Sequence, residues 1–366
     1  MQIFVFDPSL EVLGVVSAFE SLTHTRQFAG SGSFKLKAPF TADLFRLLVE
    51  ENILYWEDGG PRAVYIDSVV CETEKDGDYI TASGKNLRAY LGRRVVWKNL
   101  SFSGTVEDFG RRLVTENAVN PSDAGRKIPL LSLAERAGAT PTITTATENE
   151  NLESLLDDLT AASGVGFDIL LDKAERRLYF AAFEGVDRRT TQRATPWVVV
   201  SRDRNNVVSE VYTRSSSSAR NTALISGYTD EETGVRYEDS IVAGSGLTRR
   251  EVYVKGSTSK PKADEDEGIS EEQAQETYAE EQRQKAREKL ADQVAVSSLE
   301  VELDPGVVRG LGLGDKVTAI ERKYNLTAQT FVTEITAYYE RGGTSYDVTL
   351  GETVPSIYKK LKKEIV

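Results

Sequence analysis

One stretch constrains this chain more than any other: Arg62 to Val96, which reads RAVYIDSVVCETEKDGDYITASGKNLRAYLGRRVV. Val64, Ile66, Ser68 and Val70 alternate with Tyr65, Asp67 and Val69, the period of two of a half-buried strand. A polar turn, Glu72 to Asp78, follows, and its Asp76-Gly77 pair suits the left-handed backbone of a hairpin. Tyr79-Ile80-Thr81-Ala82 returns as the second strand. Ser83 or Asn86 then caps a short helix carrying Leu87, Tyr90 and Leu91 on one face. Arg93 and Arg94 end that helix, where cations complement its dipole, and Val95-Val96-Trp97 resumes a strand. Strand, turn, strand, Ser-Gly, short helix and double arginine make one connected unit.

The rest of the chain extends this β-rich pattern. Residues 1–97 read as a first small β-barrel: strands at Gln2–Phe6 and Val12–Phe19, a Gly/Ser bend at Gly30–Ser33, alternation through Phe34, Leu36 and Lys37, and a short amphipathic helix over Ala42–Val49. Residues 98–196 read as an α+β module. Thr105 and Asp108 form a capping box ahead of an apolar face of Val106, Phe109, Leu113 and Val114. Leu152, Leu155, Leu156 and Leu159 mark a second helix, and Phe167–Leu171 with Arg177–Phe183 a hairpin. Residues 197–228 plus 298–352 carry the strands of a second barrel. Residues 229–297 interrupt them with a mobile loop, Lys255–Gly268, and a long helix, Ser270–Val294, that packs through Ala274, Tyr278, Ala286 and Leu290. A short basic helix spans residues 353–366. The expected fold class is therefore β-rich α+β, with two small β-barrel-like domains and an α+β module and helical insertion between them.

Composition narrows the function. At 366 residues the chain is long enough for about two to four domains. Its formal net charge of −12 argues against a protein that grips nucleic acid through phosphates. Cys71 is the only cysteine, expected as a buried small hydrophobe, and His24 is the only histidine, expected as a partly buried aromatic stand-in. With one of each, zinc sites and the Ser-His-Asp or Cys-His catalytic arrangements are not expected. The N-terminus lacks the basic start and apolar length of a signal peptide, and no segment nears the ~20 apolar residues of a membrane span. The chain is expected to be made in a cytosol. Leu311-Gly312-Leu313-Gly314 precedes a strand, not a helix, so it offers no phosphate site at a helix N-terminus.

The order of motifs resembles the tail-tip, or baseplate-hub, proteins of long-tailed phages and prophages. The resemblance rests on Arg26 in Ser-Leu-x-x-x-Arg; Gly32 and Phe34 before Leu36 and Pro39; Ser83-Gly84-Lys85-Asn86-Leu87; Arg93-Arg94; Asp187-Arg188 after Gly185; Asn221 opening a strand; Arg250-Glu251; Gly314-Asp315; and Gly351. His24 departs from the family, where an aromatic, usually Trp, is common. The resemblance implies a homotrimer whose six barrels ring a channel. Its neighbours would be tail-tube or distal tail proteins and tail fibre or receptor-binding proteins, with DNA only a passing cargo and the virion tail tip as its location. These motif residues are structural; no catalytic, cofactor or metal residue is implied. A ring of acidic chains is expected to present DNA with an acidic or neutral wall.

Two other classes compete. A cell-wall lysin needs only two carboxylates, but no spacing singles out a pair, and no fused peptidase or muramidase segment is expected after Val366. A carbohydrate-binding adhesin would display Trp and Tyr, whereas Trp56, Trp97 and Trp197 are placed by their strands in the core. The expected role is a hub, not an enzyme.

Overall fold

The computed structural model describes residues 1–98, 100–138, 141–147, 149–261, 270–293, 296–324 and 326–352. The second half of the expected loop Lys255–Gly268 and all of the expected helix at 353–366 lie outside them.

The first segment holds β1 (Ile3–Phe6), β2 (Val12–Val16), β3 (Ser21–Gln27), β4 (Ser33–Pro39), α1 (Ala42–Leu47), β5 (Ile53–Tyr55), β6 (Val64–Glu74) and β7 (Gly77–Asn86), then a 3-10 helix, Leu87–Arg93. The expected strand at Val95–Trp97 is a single bridge, Val95 to Asn151. The α+β module follows: β8 (Leu100–Thr105), α2 (Val106–Val114), β9 (Leu131–Leu133), β10 (Thr142–Thr147), α3 (Leu152–Ser163), β11 (Val165–Asp172) and β12 (Arg177–Glu184). Thr105 caps α2 as expected, its hydroxyl oxygen accepting the Asp108 N–H at 3.1 Å. Next come β13 (Val199–Val200), β14 (Val207–Ser215), β15 (Thr222–Thr229), β16 (Arg236–Val242), β17 (Glu251–Lys255) and α4 (Glu271–Asp292). The chain closes with β18 (Val296–Leu303), α5 (Pro305–Val308), β19 (Lys316–Glu321), β20 (Leu326–Glu340) and β21 (Gly343–Glu352).

The fold is β-rich α+β, as expected, but the described strands form no closed barrel. Strands from the two ends of the chain join in one thirteen-stranded sheet, in the order β14-β18-β21-β20-β3-β4-β7-β6-β5-β1-β2, with β13 and β19 attached beside β20. The seam is β3 against β20, antiparallel from Ser21–Glu340 to Gln27–Glu334. Its core crosses that seam: Leu22, Phe34, Leu36, Trp56, Ile66 and Ile80 pack in one cluster with Ala337 and Tyr339. Ala337 and Tyr339 thus belong to the core of the first strand set, while Val317, Ala319, Val332, Val348 and Leu350 of the later strands are buried outside that cluster.

Two compact units divide the chain, one from Met1–Val211 with the strands after Leu299, the other from Tyr212–Ser298. In the second unit β15, grouped by the sequence with the second barrel, instead pairs with β16 and β17. Ala223, Ile225 and Val254 from that sheet bury against Ala286 of α4. Ser270 and Gln273 cap α4 reciprocally.

Three burial expectations fail. Cys71 is exposed: β5 covers β6 only at Val64 and Tyr65, so beyond them β6 is an edge held on one side by β7. Trp97 and Trp197 are 73% and 54% exposed, and only Trp56 is in the core. The strands expected to bury the first two shrink to a bridge and to the two residues of β13.

Candidate functional site

The residues that carried the resemblance gather mainly at two junctions. The first is the seam. A register shift between Ile66 and Ser68 bulges β6, and the Tyr65 carbonyl comes so close to Gly84 that a Cβ there would lie 2.0 Å from its oxygen. Only glycine fits. Gly84 sits opposite Phe34, which is buried in the shared core. Two residues on, Asn86 points inward and its Nδ2 donates to the carbonyls of Thr25, at 3.3 Å, and Ser31. That fixes its Oδ1 as the acceptor for His24 Nε2–H at 2.8 Å. His24 also meets Trp56 edge to face at 4.9 Å. Burial pushes the His24 pKa down to about 3, outweighing the hydrogen bond to Asn86, which raises it. The ring is neutral and sealed, fully rather than partly buried. Gly32 supplies the positive φ of 64° at the bend beside it. Arg26, on the core side of β3, has no hydrogen-bond partner for its buried Nε, and burial lowers its pKa, with Arg62 lowering it further.

The second junction is a clamp. Gly185 and Gly314 touch through their backbones: a Cβ on Gly185 would fall 1.9 Å from the Gly314 carbonyl. That approach brings the Asp315 carboxylate under the next strand. Its Oδ1 accepts the Val186 N–H at 2.7 Å; its Oδ2 accepts Arg188 Nε at 2.9 Å and the Gly312 N–H at 3.0 Å. Lys316 and Arg188 complete the join through backbone bonds. Asp187 turns away and holds Arg189, whose hydrogen bond keeps the Asp187 carboxyl down at about 2. Two motifs that the sequence shows far apart, Gly185 to Arg188 and Gly314-Asp315, are one structure.

The model of a family described as Siphovirus ReqiPepy6 Gp37-like protein matches residues 2–352. The chain belongs to that family. In fold, this chain is similar to the 43 kDa tail protein of prophage MuSo2 from Shewanella oneidensis (13% identity, 97% of this chain and 100% of that one, TM-score 0.57). It is also similar to a tail protein from Neisseria meningitidis (14%, 97% and 98%, TM-score 0.55) and to prophage tail protein gp18 from Listeria monocytogenes (13%, 100% and 98%, TM-score 0.51). No curated protein matches it.

The remaining motif residues of the chain are dispersed. Ser83 continues β7 opposite Lys35, and Leu87 is buried at the start of the 3-10 helix. Arg93 forms a two-pronged pair with Glu51, both bonds 2.9 Å, and stacks on Tyr65 and Tyr90. Arg94 bonds to the Arg126 carbonyl at 2.6 Å. In the second unit Asn221 staples strand entrances, donating to the Thr248 carbonyl and accepting the Arg250 N–H, both at 2.8 Å. Glu251 pairs with Arg249, not Arg250. Gly351 lies against Thr333 in the β20–β21 pair. The sequence reading missed Gln282, buried on α4 between Tyr278 and Ala286, whose Oε1 accepts the Ser257 N–H at 2.9 Å. Its four-residue spacing was the available signal. Among the described residues no three His, Cys, Asp or Glu side chains are placed to hold a metal, and no helix is long and apolar enough to cross a membrane.

Proposed function

We propose that this protein is a structural protein of a phage tail, the hub at the tail's distal end. Three copies form a ring that joins the tail tube or distal tail protein to tip or receptor-binding parts, and the ring leaves a channel for DNA. One observation carries the reading: the run β6-β7-β4-β3-β20-β21-β18-β14 ends in an open edge on each side. β14 is last in the sheet, and among the described residues β6 has no second partner strand beyond Tyr65. Both edges expose apolar side chains, Val70 on β6 and Val208 and Val211 on β14. Unlike edges that meet head to tail give a closed ring under cyclic symmetry. In this reading residues 1–97, 197–215 and 298–352 supply the wall, 98–196 stands outside it and 229–297 is an insertion.

The side chains fit a passage. On the sheet face opposite the core, β3, β4, β7 and β20 carry Thr23, Thr25, Ser33, Thr81, Ser83 and Thr336. By the same alternation Lys35, Lys37 and Lys85 share this face with Glu72, Glu74, Glu334, Glu340 and Asp347, and Lys37 is neutralised by Glu74 at 2.6 Å. Such a wall offers phosphates few free cations and little counterion release. Electron microscopy of the purified protein at high concentration tests the ring. A particle with threefold symmetry and a central hole is expected; a stable dimer or a solid particle contradicts it.

The hub reading assigns no catalysis. The only histidine is sealed against Trp56, so a suspension of cell walls is expected to stay turbid with pure protein; clearing would turn attention to the carboxylates. The exposed Trp97 and Trp197 favour a second reading, carbohydrate binding, which glycan binding lost in Trp97→Ala and Trp197→Ala would support.

A further inference from the structure

The double arginine at the end of the 3-10 helix does more than close a helix. Residues 85–106 carry five cations, Lys85, Arg88, Arg93, Arg94 and Lys98, and no carboxylate, in a chain whose net charge is −12. Residues 124–134 add Arg126 and Lys127, again without an acid. The fold brings the two segments together around a cleft of about 190 Å³ whose lining includes Pro8, Tyr90, Arg93, Arg94, Ile128 and Pro129.

The charges there do not balance. Arg93 is matched by Glu51, and the buried Arg88 by Asp157. Arg94 has neutral partners, the carbonyls of Arg126 and Arg93. Arg126 likewise donates to the Val95 carbonyl and, at 3.1 Å, to Asn117 Oδ1. Neither is in an ion pair among the described residues. Burial lowers the Arg94 pKa, and Arg126 and Arg93 lower it further by like-charge repulsion. Two half-buried guanidiniums held side by side by neutral acceptors cost free energy that an incoming anion returns. The chain leaves the cleft through Val95 and Trp97, both exposed, and Leu130 is exposed on the other segment. Apolar anchors beside unbalanced arginines are the composition of a protein-binding hot spot.

We propose that the surface beside this cleft, where the two segments meet through Arg94 and Arg126, is a docking site for an acidic segment of another protein, its carboxylates on Arg94 and Arg126 and its apolar side chains against Val95, Trp97 and Leu130. The proposal goes beyond the hub reading and does not need the ring, since every residue comes from one chain. Trp97 and Leu130 favour a peptide over a nucleic acid backbone, because a segment of mixed apolar and acidic side chains satisfies both halves of the surface.

The test is fluorescence anisotropy of the full chain with a labelled peptide, Glu-Glu-Leu-Glu-Glu-Leu-Glu-Glu, capped at both ends. Its counterpart with Gln for Glu, and a single-stranded oligonucleotide of equal charge, are the controls. The acidic peptide is expected to bind at about 50 mM salt, about tenfold more tightly than the Gln peptide, and to weaken steeply toward about 500 mM. Arg94→Glu with Arg126→Glu is expected to weaken it at least about tenfold. Should that pair unfold, the exposed changes Lys127→Glu and Trp97→Ala carry the same expectation at about threefold each. Equal binding of the two peptides, no binding of the acidic one at low salt, insensitivity to these substitutions, or tighter binding of the oligonucleotide would each overturn the proposal.

Discussion

The seam and the clamp solve one problem with opposite chemistry. Each joins chain segments far apart in sequence: Thr25 bonds Thr336 at the seam, 311 residues away, and Arg188 bonds Asp315 at the clamp, 127 residues away. Both rely on a glycine where two backbones nearly touch. From there they diverge. The seam buries a neutral pair, His24 and Asn86, inside an apolar core. The clamp buries a carboxylate and satisfies it with an arginine and two N–H groups. The contrast teaches that the same sheet is held at one place by keeping charge out and at the other by surrounding it, so the two should fail under different conditions.

The largest effects should come from the glycines. Gly185→Ala at the clamp and Gly84→Ala at the seam each force a Cβ into rigid backbone, and each is expected to lower stability by about 3 kcal/mol or more in urea unfolding. A loss under about 1 kcal/mol at either would show that the backbone yields there. Asp315→Asn comes next. It leaves Arg188 without its carboxylate and the amide cannot accept every bond, so a loss of about 3 kcal/mol is expected. His24→Phe separates the junctions by pH. The folded pKa, about 3, lies below the unfolded one, about 6.5. The histidine's contribution is therefore complete above about pH 6.5 and is lost as pH falls toward 3; about 2 kcal/mol should go between pH 7 and pH 4.5. The Phe variant should lack this slope, and an unchanged slope would place the acid sensitivity elsewhere. The smallest effect is expected in the second unit. Breaking the part-exposed Arg249–Glu251 pair by Glu251→Gln should cost at most about 0.5 kcal/mol.

What the sequence made legible follows the same division. Patterns local in the chain were readable: the β6–β7 hairpin from Asp76-Gly77, the caps at Thr105 and Ser270, and the α4 stripe of Ala274, Tyr278, Ala286 and Leu290. Gln282 belongs to that stripe by its spacing, but a polar side chain reads as exposed until the backbone N–H of Ser257 that it accepts is known. The motif residues at both junctions were readable as motifs, but not as partners. Nothing in Asp187-Arg188 or Gly314-Asp315 says that the two meet, because the contact is made by glycine backbones that carry no side-chain signal. The β3–β20 seam was hidden for a related reason: alternation shows which face of a strand is buried, not which strand lies beside it. Trp97 and Trp197 misled because an aromatic in a strand-like run reads as core until the length of the strand is known.

The account's central claim is that open edges of unlike strands, β6 and β14, meet between copies. The single native cysteine makes this directly measurable, since Cys71 lies exposed on the open stretch of β6. Val211→Cys places a second thiol on β14. A short bis-maleimide added to that variant should give covalent dimers and trimers that stop at three chains, while the parent, with Cys71 alone, stays uncrosslinked. Dimers of the parent through Cys71, or a Val211→Cys ladder that runs past three chains or never forms, would contradict the ring.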